Sequence, residues 1–203
     1  LLHVLAHGEA RELIPEKNRE LLGELGLADA GRPREEKASG RTIGLPDLHT
    51  IGACTGNLVA LTSPRETSGT VVKPDNWARV LKHELVHVFN LEQTKFKVPH
   101  WFTEGLAVRY EGSPMSPNWH HLLRERVASG ELHNLDNIQL AFVRPNSMEE
   151  WQLAYLQSLQ YVEFLRATYG PKAVGGFLRA FAEGKDTAAA LQEVCKVSKA
   201  DFE

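Results

Sequence analysis

Between residues 83 and 87 the chain reads His83-Glu84-Leu85-Val86-His87, and this pentapeptide limits the fold more than any other stretch. Two histidines four residues apart share one face of a helix, with Cβ atoms about 5–6 Å apart. Both imidazoles can then reach one metal ion at about 2.0–2.1 Å. Glu84 faces the same cleft, where it can take a proton from a water on that metal. The neighbours Val80, Leu81, Leu85, Val86, Val88 and Phe89 are apolar. Such a helix is expected to be buried on most sides, and buried imidazoles and carboxylates need partners. A metal supplies them. With 9 His in 203 residues, however, composition alone would produce the pattern in roughly one shuffled sequence in 25, and ordinary helix histidines are the competing reading.

A second stretch shifts that balance. Trp101-Phe102-Thr103-Glu104-Gly105-Leu106-Ala107 follows a loop broken by Pro99. A catalytic zinc takes three protein ligands and keeps one position open for water. His83, His87 and a Glu104 on the next, antiparallel helix make up a His₂Glu set of that kind. Thr103 is expected to cap this helix, with Glu104 in its first turn. The competing reading of Glu104 is a carboxylate favoured by the helix dipole.

The rest of the chain supplies a scaffold. Its length suits one domain or a domain and a half. A 42% share of hydrophobic residues is ordinary globular usage. No apolar run reaches the ~20 residues of a spanning helix. The net charge of −3 provides no basic field for nucleic acid or an anionic membrane. Cys54 and Cys195 form neither a disulfide framework nor a cysteine zinc site. Helical patterning is expected over 1–27 with a break at Pro15, then a polar loop over 28–41. A short strand is expected over Leu58-Val59-Ala60-Leu61-Thr62. Helices are expected from Asp75 or Asn76 to about Asn90, from Thr103 to Gly112, from Asn118 to Gly130, from Ser147 to Gly170, and over about 172–183 and 187–197. Ser147-Met148-Glu149-Glu150 is a capping-box pattern. The start lacks an initiator Met, and Ser198-Lys199-Ala200-Asp201 reads as the opening of one more helix. The chain therefore reads as a piece of a longer protein, with its compartment left open.

The two metal-type stretches together resemble the gluzincin metallopeptidases, and most closely the bacterial peptidase MA-like domains often found beside tetratricopeptide repeats. The Trp101–Ala107 stretch is also similar to the W-x-x-E-G-F-A of the large zinc aminopeptidases. Arg41 to Pro64 resembles the segment before the metal helix, and Ala154 to Gly170 resembles a later helix bearing a tyrosine. The resemblance covers roughly 38–203. It implies an α+β, mostly helical, zincin-like domain with a small β region before the metal helix and a helical C-terminal half. The corresponding division is 1–37 as a partial helical segment and linker and 38–203 as the catalytic domain, with a metal-binding half over 42–112 and a helical half over 113–203.

The resemblance also implies roles. His83, His87 and Glu104 would bind one Zn²⁺, and Glu84 would be the general base. Leu58, Val59, Ala60 and Leu61 would form an edge strand pairing with a peptide or protein substrate by strand addition. Tyr155 would hydrogen-bond the oxyanion; its competing reading is a core aromatic packed with Ser158, Leu159 and Val162. Tyr161 lies on another face and is the weaker candidate. His133 is a minor candidate for a second oxyanion donor. His120-His121 reads as a solvated pair, His100 as structural, and Lys95 and Lys97 as solvated charge. The leading function is an endopeptidase acting through a zinc-activated water. An aminopeptidase would need carboxylates for a free α-amine, and no G-x-M-E-N strand is present. A peptide-binding module on the same scaffold would be free to lose Glu84. A structural zinc would normally close the fourth position with Cys or His.

Overall fold

In a computed structural model of the chain, residues 52–54, 59–61, 77–112 and 116–203 are described. The helix expected over 1–27 and the loop over 28–41 lie outside them, as do Leu58, Thr62, Asp75 and Asn76. The described chain is mostly helical. β Pairing is limited to β1 (Gly52–Cys54) and β2 (Val59–Leu61), antiparallel, with Ala53 opposite Ala60. The expected β region therefore does not form a layer of its own: strands of three residues are too short to bury a face without a helix to rest on. Both lie against the first helix.

That helix is α1 (Trp77–Thr94), followed by α2 (His100–Glu111). The sequence anticipated a helix apolar on most sides. Instead, the buried stripe of α1 is Val80, Glu84, His87, Asn90 and Thr94, one residue per turn and mostly polar. Phe89 is 61% exposed. The stripe is satisfied locally: Thr94 Oγ1 donates to the Asn90 carbonyl at 2.6 Å, and Asn90 Nδ2 donates to Thr103 Oγ1 at 3.3 Å. Lys95 and Phe96 take left-handed backbone angles, φ 53° and 62°, which stops the helix. Pro99 then sets the start of α2 with φ −66° and ψ 147°. α2 thus begins at His100, and Thr103 is not its cap. Thr103 is buried inside the helix, and Glu104 falls one residue beyond the first turn.

α2 is the axis of the molecule. Trp101, Phe102, Thr103, Gly105, Leu106 and Ala107 are all buried. On one side Phe102 stacks on Phe177 at 5.5 Å and meets Phe181 edge-on at 5.3 Å, which attaches α6 (Lys172–Ala182). Trp101 Nε1 donates to Thr187 Oγ1 at 3.1 Å, which attaches α7 (Thr187–Val194). On the other side runs the long α5 (Met148–Tyr169). There a Cβ on Gly105 would stand 2.3 Å from the Ser158 carbonyl oxygen and 2.7 Å from Val162 Cγ2. The two helices approach backbone to backbone at this point, and no larger residue fits.

Between them lie α3 (Pro117–Ser129) and α4 (Ile138–Val143), and α8 (Lys199–Phe202) closes the described chain. Ser147 caps α5 by accepting from the Glu150 amide at 3.0 Å, but Glu150 bonds Asn146 rather than Ser147. The reciprocal half of the capping box is therefore displaced by one residue. α4 has no counterpart in the sequence reading. It is six residues long and follows an Asx turn in which Asn134 Oδ1 accepts from the Asp136 and Asn137 amides.

Candidate metal centre

Antiparallel packing of α1 and α2 brings early α1 residues to late α2 residues. His83 and His87 project from α1 with ring centroids 4.8 Å apart and planes at 74°. Glu104 of α2 points between them. Its Oε2 lies 3.2 Å from His83 Nε2 and 3.4 Å from His87 Nε2, and the three donor atoms lie within 4.8 Å of one another. Two atoms bound tetrahedrally to one zinc at about 2.0–2.1 Å would be about 3.4 Å apart. Glu104 Oε2 is also buried without a hydrogen-bond partner, a costly state unless a cation completes it. Donor set, spacing and orphaned oxygen all fit a zinc-type ion. His83, His87 and Glu104 form the only such group found among the described residues.

The outward nitrogens are held as well. His83 Nδ1 lies 2.7 Å from Glu111 Oε1, and Arg79 Nη1 donates to Glu111 Oε2 at 2.5 Å. His87 Nδ1 lies 2.8 Å from Thr103 Oγ1. The sequence reading missed Glu111, Arg79 and Asn90 and gave Thr103 the wrong task. A signal existed for two of them. Arg79 is one turn before His83, and Glu111 is two turns after Glu104, so each shares a helix face with a metal-type residue.

Three carboxylates converge here, and the charges respond to one another. Burial raises the pKa of Glu84, and the His87 and His83 imidazoles only partly offset it. Burial would also raise Glu104, but the positive charge that the His87 and His83 rings can carry beside it holds it well below the usual range. For His83, burial alone would lower the pKa; the carboxylates of Glu104 and Glu111 beside its two nitrogens instead push it up to about 10. In metal-free protein this pocket draws in a positive charge, and a divalent cation would displace that proton.

Tyr155 of α5 stands next to His83, with ring centroids 6.4 Å apart. Trp151 at 4.6 Å and Phe142 at 5.0 Å pack edge-on against its ring. Burial, and then the charges of Glu104, Glu84 and Glu111, push its pKa well above 10, so the phenol keeps its proton. Other residues fall elsewhere. Tyr161 stacks on Phe202 and points its hydroxyl at the His133 carbonyl, 3.4 Å away. The backbone of His133 is clasped by the Gln157 side chain. His121 pairs with Glu125 on the exposed face of α3. His100 opens α2 beside Phe142, its Nδ1 buried without a partner.

A family model described as the peptidase MA superfamily matches residues 60–201, a span that takes in every side chain of this cluster. The chain belongs to the peptidase MA superfamily. No curated protein and no solved structure matches it. As a peptidase MA domain it has a peptidase-like scaffold. The metal-type cluster lies where the two most conspicuous sequence stretches, 83–87 and 101–107, meet. No helix among the described residues is long and apolar enough to cross a membrane.

Proposed function

We propose that this peptidase MA domain is a zinc-dependent peptidase of the gluzincin type, an endopeptidase by preference, with its catalytic part over 38–203. The observation that carries the reading is the convergence of His83 Nε2, His87 Nε2 and Glu104 Oε2 on one point, one residue along from a buried carboxylate. In this reading the three residues hold one zinc, which supplies Lewis acidity and lowers the pKa of its water to about 7. Glu84 takes the proton of the attacking water and delivers it to the leaving amine. Its raised pKa makes it a better base than a solvated glutamate. The Tyr155 hydroxyl, held protonated, donates to the developing oxyanion. Leu58, Val59, Ala60 and Leu61 supply an edge on which an extended peptide can pair. β1 occupies one edge of β2, and the other has no strand partner among the described residues.

A three-donor group favours turnover over a closed structural site, since a fourth protein ligand would occupy the position that water and substrate need. The test is a peptide-library digestion by the full-length protein. Cleavage should stop with a zinc chelator and return on adding zinc. Cleavage indifferent to the chelator would refute the reading.

Tyr155→Phe separates a catalytic phenol from a packing one. The loss expected for an oxyanion donor is about 10²–10³ in kcat and kcat/KM together, with KM and zinc content held. Near-normal turnover with lowered thermal stability would assign Tyr155 to the aromatic cluster of Trp151 and Phe142 instead.

A further inference from the structure

We infer that Glu111 is a positioning residue that fixes which nitrogen of His83 faces the metal, and that the two ligand histidines are thereby held by groups of unequal charge. The inference rests on the zinc reading above. It starts from a strip of four side chains across two helices: Arg79 and His83, one turn apart on α1, and Glu104 and Glu111, two turns apart on α2. Arg79 Nη1 donates to Glu111 Oε2 at 2.5 Å, while Glu111 Oε1 meets His83 Nδ1 at 2.7 Å. The carboxylate is thus clamped at both oxygens.

An ionised carboxylate only accepts hydrogen bonds, and a neutral imidazole carries one proton. The contact at 2.7 Å therefore places that proton on Nδ1. The Nε2 lone pair is left for the metal, 3.2 Å from Glu104 Oε2. The accepted proton also pushes electron density onto the ring and strengthens Nε2 as a donor. His87 is treated differently. Its Nδ1 meets a hydroxyl, Thr103 Oγ1, at 2.8 Å, and Asn90 Nδ2 donates to the same oxygen at 3.3 Å. A hydroxyl with one acceptor site taken can still either accept from the ring or donate to it. Thr103 orients His87 but does not dictate its tautomer. The charge-based selection falls on His83 alone.

Glu111→Gln is the discriminating change because it keeps the shape and defeats the arrangement. With its amide oxygen toward His83, its NH₂ group opposes the Arg79 guanidinium. Turned the other way, the NH₂ group donates to Nδ1 and forces the proton onto Nε2. The zinc dissociation constant of the purified full-length protein, measured by chelator competition, should rise about 10–100-fold. Glu111→Asp should recover part of that loss. The metal-free variants should melt within a few degrees of the metal-free wild type. Should Glu111→Gln fail to fold, Glu111→Ala is read in the same way. Zinc binding by Glu111→Gln within about twofold of wild type would overturn the inference and leave the zinc reading standing. So would equal weakening by the Gln and Asp substitutions, matched by an equal drop in metal-free melting temperature, which marks a structural role. Wild-type protein that binds no zinc would sink both.

Discussion

Glu84→Gln should leave the fold and the metal in place and reduce peptide hydrolysis by about 10³–10⁴, the upper part of the range for loss of a positioned general base. The substitution is isosteric, and Glu84 is not among the three converging donors, so its charge is needed for proton transfer and not for holding the ion. The side chain is only 6% exposed, and burial raises its pKa. A carboxyl whose folded pKa lies above its unfolded value costs stability once the pH exceeds the unfolded value. Removing the charge should therefore leave metal-free protein at pH 7 as stable as wild type, or more so. Three measurements on one preparation decide the matter: turnover, zinc content and thermal unfolding. Unchanged turnover would strip Glu84 of its role as base, or trace the activity to a contaminant.

His87→Ala should reduce the metal from stoichiometric to a small fraction. It removes a donor outright and so should cost more than the ~10–100-fold associated with losing an outer hydrogen-bond partner. It also costs Thr103 Oγ1 its contact with His87 at 2.8 Å, leaving it Asn90 Nδ2 as partner. The aromatic packing of Trp101 and Phe102 with Phe177 and Phe181 joins α2 to α6 and does not involve His87, so the helices should stay assembled. Elemental analysis of protein never exposed to chelator is the check. Wild-type protein without a stoichiometric transition metal would remove the basis of the prediction.

What could be read from the sequence was what is local. His83 and His87 are related by one helical turn, and Glu104 is reached across a short corner between α1 and α2, so spacing sufficed to single them out. The exact start of α2 was not read, because Thr103 looked like a cap while Pro99, a stronger boundary marker, already stood four residues ahead. Thr103 is spent on His87 instead. Glu111 escaped notice because its partner His83 is 28 residues away; only the antiparallel packing of two helices brings them together. α4 escaped for a different reason: six residues carry too little periodicity, and its start depends on the Asn134 turn. The tilt of α1 was also illegible. Its buried stripe is mostly polar: burial of His87 and Glu84 with partners was expected, whereas burial of Asn90 and Thr94 depends on the hydrogen-bonding groups that α2 and the preceding turn of α1 offer.

Gly105 immediately follows Glu104, and the carbonyl it abuts belongs to Ser158, one turn beyond Tyr155. The separation between the acidic donor and the phenol is thus gauged where two helices pack directly on each other, with no loop in the chain of measurement. Loops elsewhere can lengthen, shorten or drift in sequence without changing that gauge. A side chain introduced at residue 105 would act as a shim, lifting α5 and carrying Tyr155 away from His83 even with every functional side chain intact. At the closest approach of the two helices, the residue that allows this spacing has no side chain at all.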